Sequence, residues 1–472
     1  MDKNGICSEF AKDLLSENGV FVVGVSGGAD SICLLHLLVT QGVPVFVGHY
    51  HHGLREEADQ ELAYVKHFCE ELQVPFRVEY GDVANFSKQN HLSIEEAARI
   101  CRYRFLFSLA TENNADAVIV AHHADDQVET VLMHFFRGSG LSGLTGMRAK
   151  TVISEFNDDI PLIRPLLTYK REEIEQYCEQ HRLKYFIDQT NRDVQFYRNQ
   201  LRNEIIPYLA QRNPGFQNRI LNMTTILQAE EDLILGNLEN IWCDTVFFQG
   251  KNAIGIDRNR LMNLHKAFQR RMVRKVAFEL DQKVRDFSFA TVERVLDFIH
   301  EHTSGKVNLE NQIACEITDQ VCYFYLEKTL WLDHFFPQIH SPQKLSIQDS
   351  QKYKLGSGWV LVLQPQLSSD LISEIKNDEW QANLDADSIS TEYIEVRIWR
   401  PGERFLPFGM SEKVKVSDYF ANKKLLKSAR TCWPILSNLF GDIIWIPGYR
   451  IGDRYKITDQ TRNVIRMQLI KE

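Results

Sequence analysis

The most constraining feature of this chain is a short apolar segment that runs straight into glycines. Val20-Phe21-Val22-Val23-Gly24-Val25 is a continuous apolar run, the pattern of a strand buried on both faces. Ser26-Gly27-Gly28-Ala29-Asp30-Ser31 follows at once, and residues 30–39 then read as a helix with Ile32, Leu34, Leu35 and Leu38 on its buried side. Strand, glycine turn and helix in that order make an anion site. The glycines let backbone amides approach without a Cβ in the way, and the helix N-terminus adds unpaired N–H groups and partial positive charge. The hydroxyls of Ser26 and Ser31 can donate to phosphate oxygens. Asp30 repels phosphate, so its sensible role is to hold a Mg²⁺ that bridges the phosphates.

Similar units recur along the first 212 residues. Strands are predicted at 43–47, 76–80 and 117–121, alternating with helices at 56–72, 93–110 and 124–136. Ser93 with Glu96 three residues later is a capping box that opens one of these helices. The alternation implies an α/β fold, a parallel Rossmann-like sheet with helices on both faces. Helices follow at 169–181 and 197–209, and Arg212-Asn213-Pro214-Gly215 breaks the pattern. Residues 216–335 read mainly as helices (220–238, 264–280 and 289–302), 336–385 as a polar, proline-bearing connection, and 386–472 as short strands of a small α+β domain. The expected layout is a catalytic domain over 1–212, a helical domain over 216–335 and a C-terminal domain over 386–472.

Length and composition agree with this layout. The 472 residues suffice for two to four domains, and an apolar fraction of 44% is that of a globular protein. No window approaches the ~20 apolar residues of a membrane span, and the N-terminus lacks a basic leader with an apolar core. The nine cysteines are scattered and contain no C-x-x-C pair, so a reduced, cytoplasmic protein is expected. The net charge of −9 is uneven. Residues 391–472 hold 15 Lys and Arg against 9 Asp and Glu, which makes them +6 and leaves −15 for residues 1–390. A basic tail on an acidic body suits RNA contact at one end.

Rival motifs are weaker. The G-x-x-x-x-G-K-[ST] loop of ATPases is absent, and the G-x-G-x-x-G string at Gly138, Gly140 and Gly143 follows a helix rather than a strand. His49, His51 and His52, with His122 and His123, suggest zinc, but no cysteine or acid stands at ligand spacing.

The loop Ser26–Ser31 resembles the pyrophosphate loop of the N-type ATP pyrophosphatases, whose adenine nucleotide alpha hydrolase-like sheet the pattern above fits. Further strings, in order, are similar to one family within that group, the tRNA(Ile)-lysidine synthetases. They are His49-Tyr50-His51-His52-Gly53-Leu54-Arg55, Glu96-Ala97-Ala98-Arg99 with Arg102-Tyr103, and 121–130 (AHHADDQVET). Gly138-Ser139-Gly140-Leu141, Arg164-Pro165-Leu166-Leu167, Asp188-Gln189-Thr190-Asn191, Arg198-Asn199-x-x-Arg202, Arg400-Pro401-Gly402-Glu403-Arg404 and Ile444-Trp445-Ile446-Pro447-Gly448 follow. Thr190 stands where the family usually has serine, which keeps the hydroxyl.

The resemblance implies an enzyme that uses ATP to adenylate the wobble cytidine of a CAU-anticodon tRNA(Ile), then joins free L-lysine to carbon 2, releasing AMP. It implies an ATP site made by Ser26, Gly27, Gly28, Ala29, Asp30, Ser31, His49, His52 and Arg55, with Asp30 on the metal. Asp126 and Glu129, three apart on one helix face, would grip the lysine ammonium and accept its proton, and burial side by side should raise one pKa for that task. Arg102, with Arg99 a second choice, would hold the α-phosphate or the lysine carboxylate. Arg198, Arg202, Arg271, Arg274, Arg400, Arg404, Lys415, Lys423, Lys424 and Lys427 are the expected tRNA contacts. A tRNA thiolase with the same loop is the rival, but it needs reactive, often paired cysteines. A small-molecule amidating synthetase and an inactive RNA-binding module fit less of the chain. Whether the protein pairs as a homodimer is left open by the sequence.

Overall fold

The computed structural model describes residues 13–16, 19–53, 58–186, 197–281, 287–356, 358–367 and 379–472. Arg55 and the Asp188–Asn191 string therefore lie outside the described residues. The chain divides into two compact units, Met1–Gly236 and Asn237–Glu472.

The first unit is built on strands β1 (Phe21–Gly24), β2 (Val45–His51), β3 (Phe76–Tyr80), β4 (Ala117–Ile119), β5 (Lys150–Ile153) and β6 (Asn157–Ile163). Its helices are α1 (Ala29–Thr40), α2 (Ala58–Glu71), α3 (Val83–Asn90), α4 (Ile94–Glu112), α5 (Ala124–Phe136), α6 (Leu141–Leu144) and α7 (Arg171–Gln180). The sheet order is β3-β2-β1-β4-β6-β5, with β5 antiparallel to β6 and every other pair parallel. The hairpin of β5 and β6 is an addition to the strands expected from the sequence. Because β1 is buried on both faces, its side chains feed two cores. Phe21, Val23 and Val25 pack with Ile32, Leu35, Val65 and Ile174, while Val22 packs with Tyr103, Leu106 and Leu109 of α4. A Cβ on Gly48 would stand 2.6 Å from Leu106 Cδ2, so glycine here lets α4 lie close over the strand ends. The sheet changes direction between β1 and β4, and their carboxyl ends form the crevice where an open α/β sheet binds its ligand.

A broken helix follows. α8 (Tyr197–Gln200) passes through a π turn at Leu201–Ile205 into α9 (Ile206–Arg212), and α10 (Phe216–Thr245) begins beyond the glycine turn. Thus the first unit reaches past the boundary expected near residue 212.

The helices expected at 220–238, 264–280 and 289–302 are present, and the second unit adds strands between and beyond them. Besides α11 (Arg258–Asn263), α12 (Lys266–Leu280) and α13 (Phe289–Glu301), it holds β7 (Val246–Gln249), β8 (Ala253–Asp257), β9 (Gly305–Asn308), β10 (Ile313–Ile317) and β11 (Val321–Leu326). These five form an antiparallel sheet in the order β7-β8-β11-β10-β9. Its residues Ile254, Cys315 and Phe324 face Met272, Val276 and Val295 of the helices.

Residues 336–385, expected as an irregular connection, also carry strands: β12 (Gln343–Ser346), β13 (Gln351–Gly356), β14 (Trp359–Leu367) and β15 (Gln381–Asp385). They pair with β16 (Tyr393–Arg397), β19 (Ile435–Asn438), β20 (Ile443–Trp445) and β21 (Asn463–Lys471), giving sheets β12-β16-β19-β20 and β13-β14-β21-β15 around one core. A two-stranded ribbon of β17 (Arg404–Phe405) and β18 (Val414–Lys415), with α14 (Val416–Asn422) and α15 (Lys427–Arg430), completes the unit. No helix among the described residues is long and apolar enough to cross a membrane.

Candidate active site

The site lies at the carboxyl ends of β1 and β4. Gly27 has φ +96, a left-handed conformation natural only to glycine. Ser31 braces the turn: its Oγ accepts from Ser26 N and Gly27 N at 3.2 Å each and donates to Gly28 O at 3.0 Å. Its proton is thus committed locally, whereas Ser26 is exposed and nearer the expected phosphate role. Gly28 caps α1 with no side-chain cap, which leaves the first-turn amides of that helix to an anion. His49 Nδ1 lies 2.8 Å from Val25 O. A carbonyl only accepts, so Nδ1 carries the proton and Nε2 remains an acceptor. Burial lowers its pKa and keeps it neutral. His52 stands edge-on to Tyr50 at 5.1 Å between ring centroids.

The second loop supplies the acids. His123 caps α5: its Nδ1 accepts from Asp125 N at 3.3 Å, and Asp126 Oδ2 accepts from His123 N at 3.1 Å, a reciprocal capping box. The imidazole Nε2 lies 3.4 Å from Asp126 Oδ2 and 3.8 Å from Asp30 Oδ2, so one ring joins the phosphate loop to the carboxylates. Burial alone would lower the pKa of His123, but its bond to Asp125 and the fields of Asp126 and Asp30 raise it. Arg171, at the start of α7, stands 3.9 Å from Asp30 Oδ2, and its amide donates to Asp125 at 2.9 Å. Among the described residues Asp30 Oδ1 is buried with no hydrogen-bond partner, and burial raises the pKa of Asp30 against the pull of His123 and Arg171. A buried acceptor beside a phosphate loop is what a hard divalent cation requires, so the donor set fits magnesium.

Asp126 and Glu129 do share a face of α5, but they are not alone. Arg198 and Arg202, one helical turn apart across the α8–π junction, both reach them. Arg198 Nε is 2.8 Å from Glu129 Oε2, and Arg202 donates to Glu129 Oε1 and Oε2 at 2.5 and 2.9 Å. Each arginine also lies 3.1 Å from Asp126 Oδ1. These two residues, expected as RNA contacts, stand in this structure as the counter-charges of the acid pair. Glu129 is 1% exposed and would be prohibitively unstable there as a lone charge. Burial would raise the pKa of Asp126, but His123, His122, Arg198 and Arg202 together hold it down to about 2. Asp126 is therefore not the member of the pair with the raised value, because the spacing rule saw the acids and not the bases around them.

Arg102 stays on α4, its Nε buried without a hydrogen-bond partner among the described residues and its guanidinium 5.6 Å from the Tyr103 ring; Arg99 stands at 5.4 Å from the same ring. Burial lowers His122 to about 3, opposed by Asp126 and reinforced by Arg164, Arg102 and Arg198. His123 and Arg171 were given no role by the sequence. The first lay in a recognised string, and nothing local marked the second. In the second unit Arg271 and Arg274 are half-buried on α12, while Arg400, Arg404, Lys415, Lys423, Lys424 and Lys427 are exposed. Lys424 pairs with Asp319 at 2.5 Å.

Residues 5–209 match the family described as the PP-loop domain. Residues 394–469 match the TilS substrate C-terminal domain. The chain is 30% identical over 465 residues to the tRNA(Ile)-lysidine synthase of Dehalococcoides mccartyi, covering 96% of each. It is 31% identical over 462 residues to that of Parabacteroides distasonis, again 96% of each. Against that of Clostridium tetani it is 29% identical over 471 residues, covering 97% of this chain and 96% of the relative. Full-length similarity of this kind, on a sheet whose crevice joins a phosphate loop to a buried acid pair, places the chain in the tRNA(Ile)-lysidine synthase family.

Proposed function

We propose that the protein joins the ε-amine of free L-lysine to carbon 2 of the wobble cytidine of a CAU-anticodon tRNA(Ile). ATP adenylates the base oxygen, diphosphate leaves, and lysine then expels AMP. The observation that carries this reading is the chain of contacts from Asp30 through His123 to Asp126, and on through Arg198 and Arg202 to Glu129. It sets a cation-holding acid pair beside the nucleotide loop.

The Ser26 hydroxyl and the free amides of α1 cradle the phosphates, Gly27 leaves them room by lacking a Cβ, and Arg171 and His123 orient them. Asp30 would hold Mg²⁺, which when bound neutralises the charge developing on the leaving diphosphate. An ionised Asp126 suits an ammonium ligand. It is a poor proton acceptor while its pKa stays near 2, so its first task is to bind and orient the amine. His123 and His122, with Arg198 and Arg202, hold that pKa down against burial, so Asp126 stays an anion able to grip the ammonium. The exposed cations of the second unit are the proposed RNA contacts, and free lysine, ATP and tRNA point to a cytoplasmic setting. A thiolase is disfavoured because Cys33, Cys69, Cys178, Cys315 and Cys322 are buried, and burial pushes Cys69 up to about 12.

The test is diphosphate release from ATP by the purified full chain. Release that depends on CAU-anticodon tRNA(Ile), with radiolabelled lysine entering that RNA, is expected. Sulfur transfer from a sulfide donor without lysine incorporation would overturn the reading.

A further inference from the structure

Two unfavourable features of the second unit coincide on one loop. In the ribbon of β17 and β18, Arg404 stands directly opposite Lys415. Both are exposed, and among the described residues neither has an ion-pair partner. Like charges facing each other across a ribbon destabilise it. Lys413 adds to the same charge, and Glu412 is the one acid in the loop. The loop between the two strands then shows apolar side chains to solvent, Phe408 at 42% and Met410 at 49% exposure.

The apolar tip is held in place. Met410 N donates to Pro407 O at 3.0 Å and Gly409 has φ +84, which makes 407–410 a type II turn. Phe408 N donates to Ile451 O at 2.9 Å, Pro407 bridges Gly452, and Arg450 NH1 donates to Phe408 O at 3.3 Å. A fixed turn that shows an aromatic ring beside unneutralised cations matches a ligand with both a flat apolar face and negative charge. Nucleotides have both.

We propose that this loop is a stacking contact for the substrate RNA. An unpaired or helix-terminal base lies on the Phe408 ring, Met410 flanks it, and Arg404 and Lys415 hold the adjoining phosphates. The proposal rests on the tRNA-modifying reading and adds a contact of a different kind from salt-dependent phosphate binding.

Direct titration of the full chain with the CAU-anticodon tRNA tests it, independently of catalysis. Phe408→Ala should weaken binding roughly 5- to 150-fold, the range for loss of one base–aromatic stack. Phe408→Leu should lose nearly as much, and Phe408→Trp should bind like the parent. The salt dependence should be unchanged in all three, whereas Arg404→Gln should lower its slope by about one. Matched thermal unfolding shows that the variants are folded. Parent-like binding by Phe408→Ala, or full retention by Phe408→Leu, overturns the stacking proposal. So does self-association of the parent that Phe408→Ala abolishes, because the ring would then face a second copy. If the parent binds the tRNA with Phe408-dependent affinity yet incorporates no lysine, the catalytic reading fails and the contact stands.

Discussion

Asp126→Asn separates the role of the acid pair from its place in the fold. Asp126 is 12% exposed on its side chain and accepts from Arg198, Arg202 and the His123 amide. Its pKa falls from an ordinary 3.8 to about 2, a difference that corresponds to roughly 2–3 kcal/mol of stability at neutral pH. The folded value lies below the unfolded one, so this stability is present above pH ~4 and is lost as pH falls toward ~2. The asparagine variant lacks it at every pH. Its melting temperature should therefore lie well below the parent's at pH 7 and converge on it near pH 2–3. Comparing the two proteins cancels the titration of groups that Asp126 does not influence, leaving its neighbours His123, His122 and Asp30 in the difference. In turnover the variant should lose on the order of 10²–10³-fold in kcat/KM for lysine, as expected when one partner of a buried charge pair is removed. Its affinity for tRNA should match the parent's. A pH-independent gap in melting temperature would refute the electrostatic account. An unchanged KM for lysine would remove Asp126 from the amine site.

Three further outcomes follow from other parts of the structure. Asp30→Asn keeps the size of the side chain but loses the negative charge that faces His123 and Arg171; tRNA-dependent diphosphate release should collapse and its magnesium dependence weaken, while tRNA affinity in a binding assay is kept. Gly27→Ala forces a Cβ into φ +96 and to 3.4 Å from Val65 Cγ2, a strain of about 1–2 kcal/mol; KM for ATP should rise in a steady-state assay with little change in KM for lysine. Arg258 is 5% exposed and donates to the carbonyls of Ile299, His302 and Thr318, closing the end of α13; Arg258→Ala should destabilise the second unit by about 3–5 kcal/mol, read by calorimetry, with ATP binding by the first unit unchanged.

What could be read from the sequence follows the range of the interactions. The loop at 26–31 was visible because a buried strand, a glycine turn and a helix start are all local patterns. Asp126 and Glu129 were visible for the same reason, as an i, i+3 pair. Their partners Arg198 and Arg202 come from 69 to 76 residues away, and no periodicity announces that meeting. Val321-Cys322-Tyr323-Phe324-Tyr325-Leu326 is β-branched and aromatic enough for a strand, but the helices around it set the reading of its neighbourhood. Pro365 argued for a connection, since proline cannot donate to a sheet ladder. It sits in β14 opposite Ile465, beyond Leu363, where the pairing of β14 with β13 has ended and the strand has β21 as a neighbour on one side.

The arginines and the amine belong to one argument. Two acids this deeply placed need counter-charges before any substrate arrives, because a buried carboxylate without one would not stay ionised. Arg198 and Arg202 meet that need, and their pKa values are raised by Asp126 and Glu129 against the effect of burial. They therefore cannot give up a proton to the pair. A lysine ammonium carries the same charge but can lose a proton. An ammonium bound beside the pair would add a proton donor that the guanidiniums cannot be, while keeping the kind of positive charge that, with His123 and His122, holds Asp126 ionised.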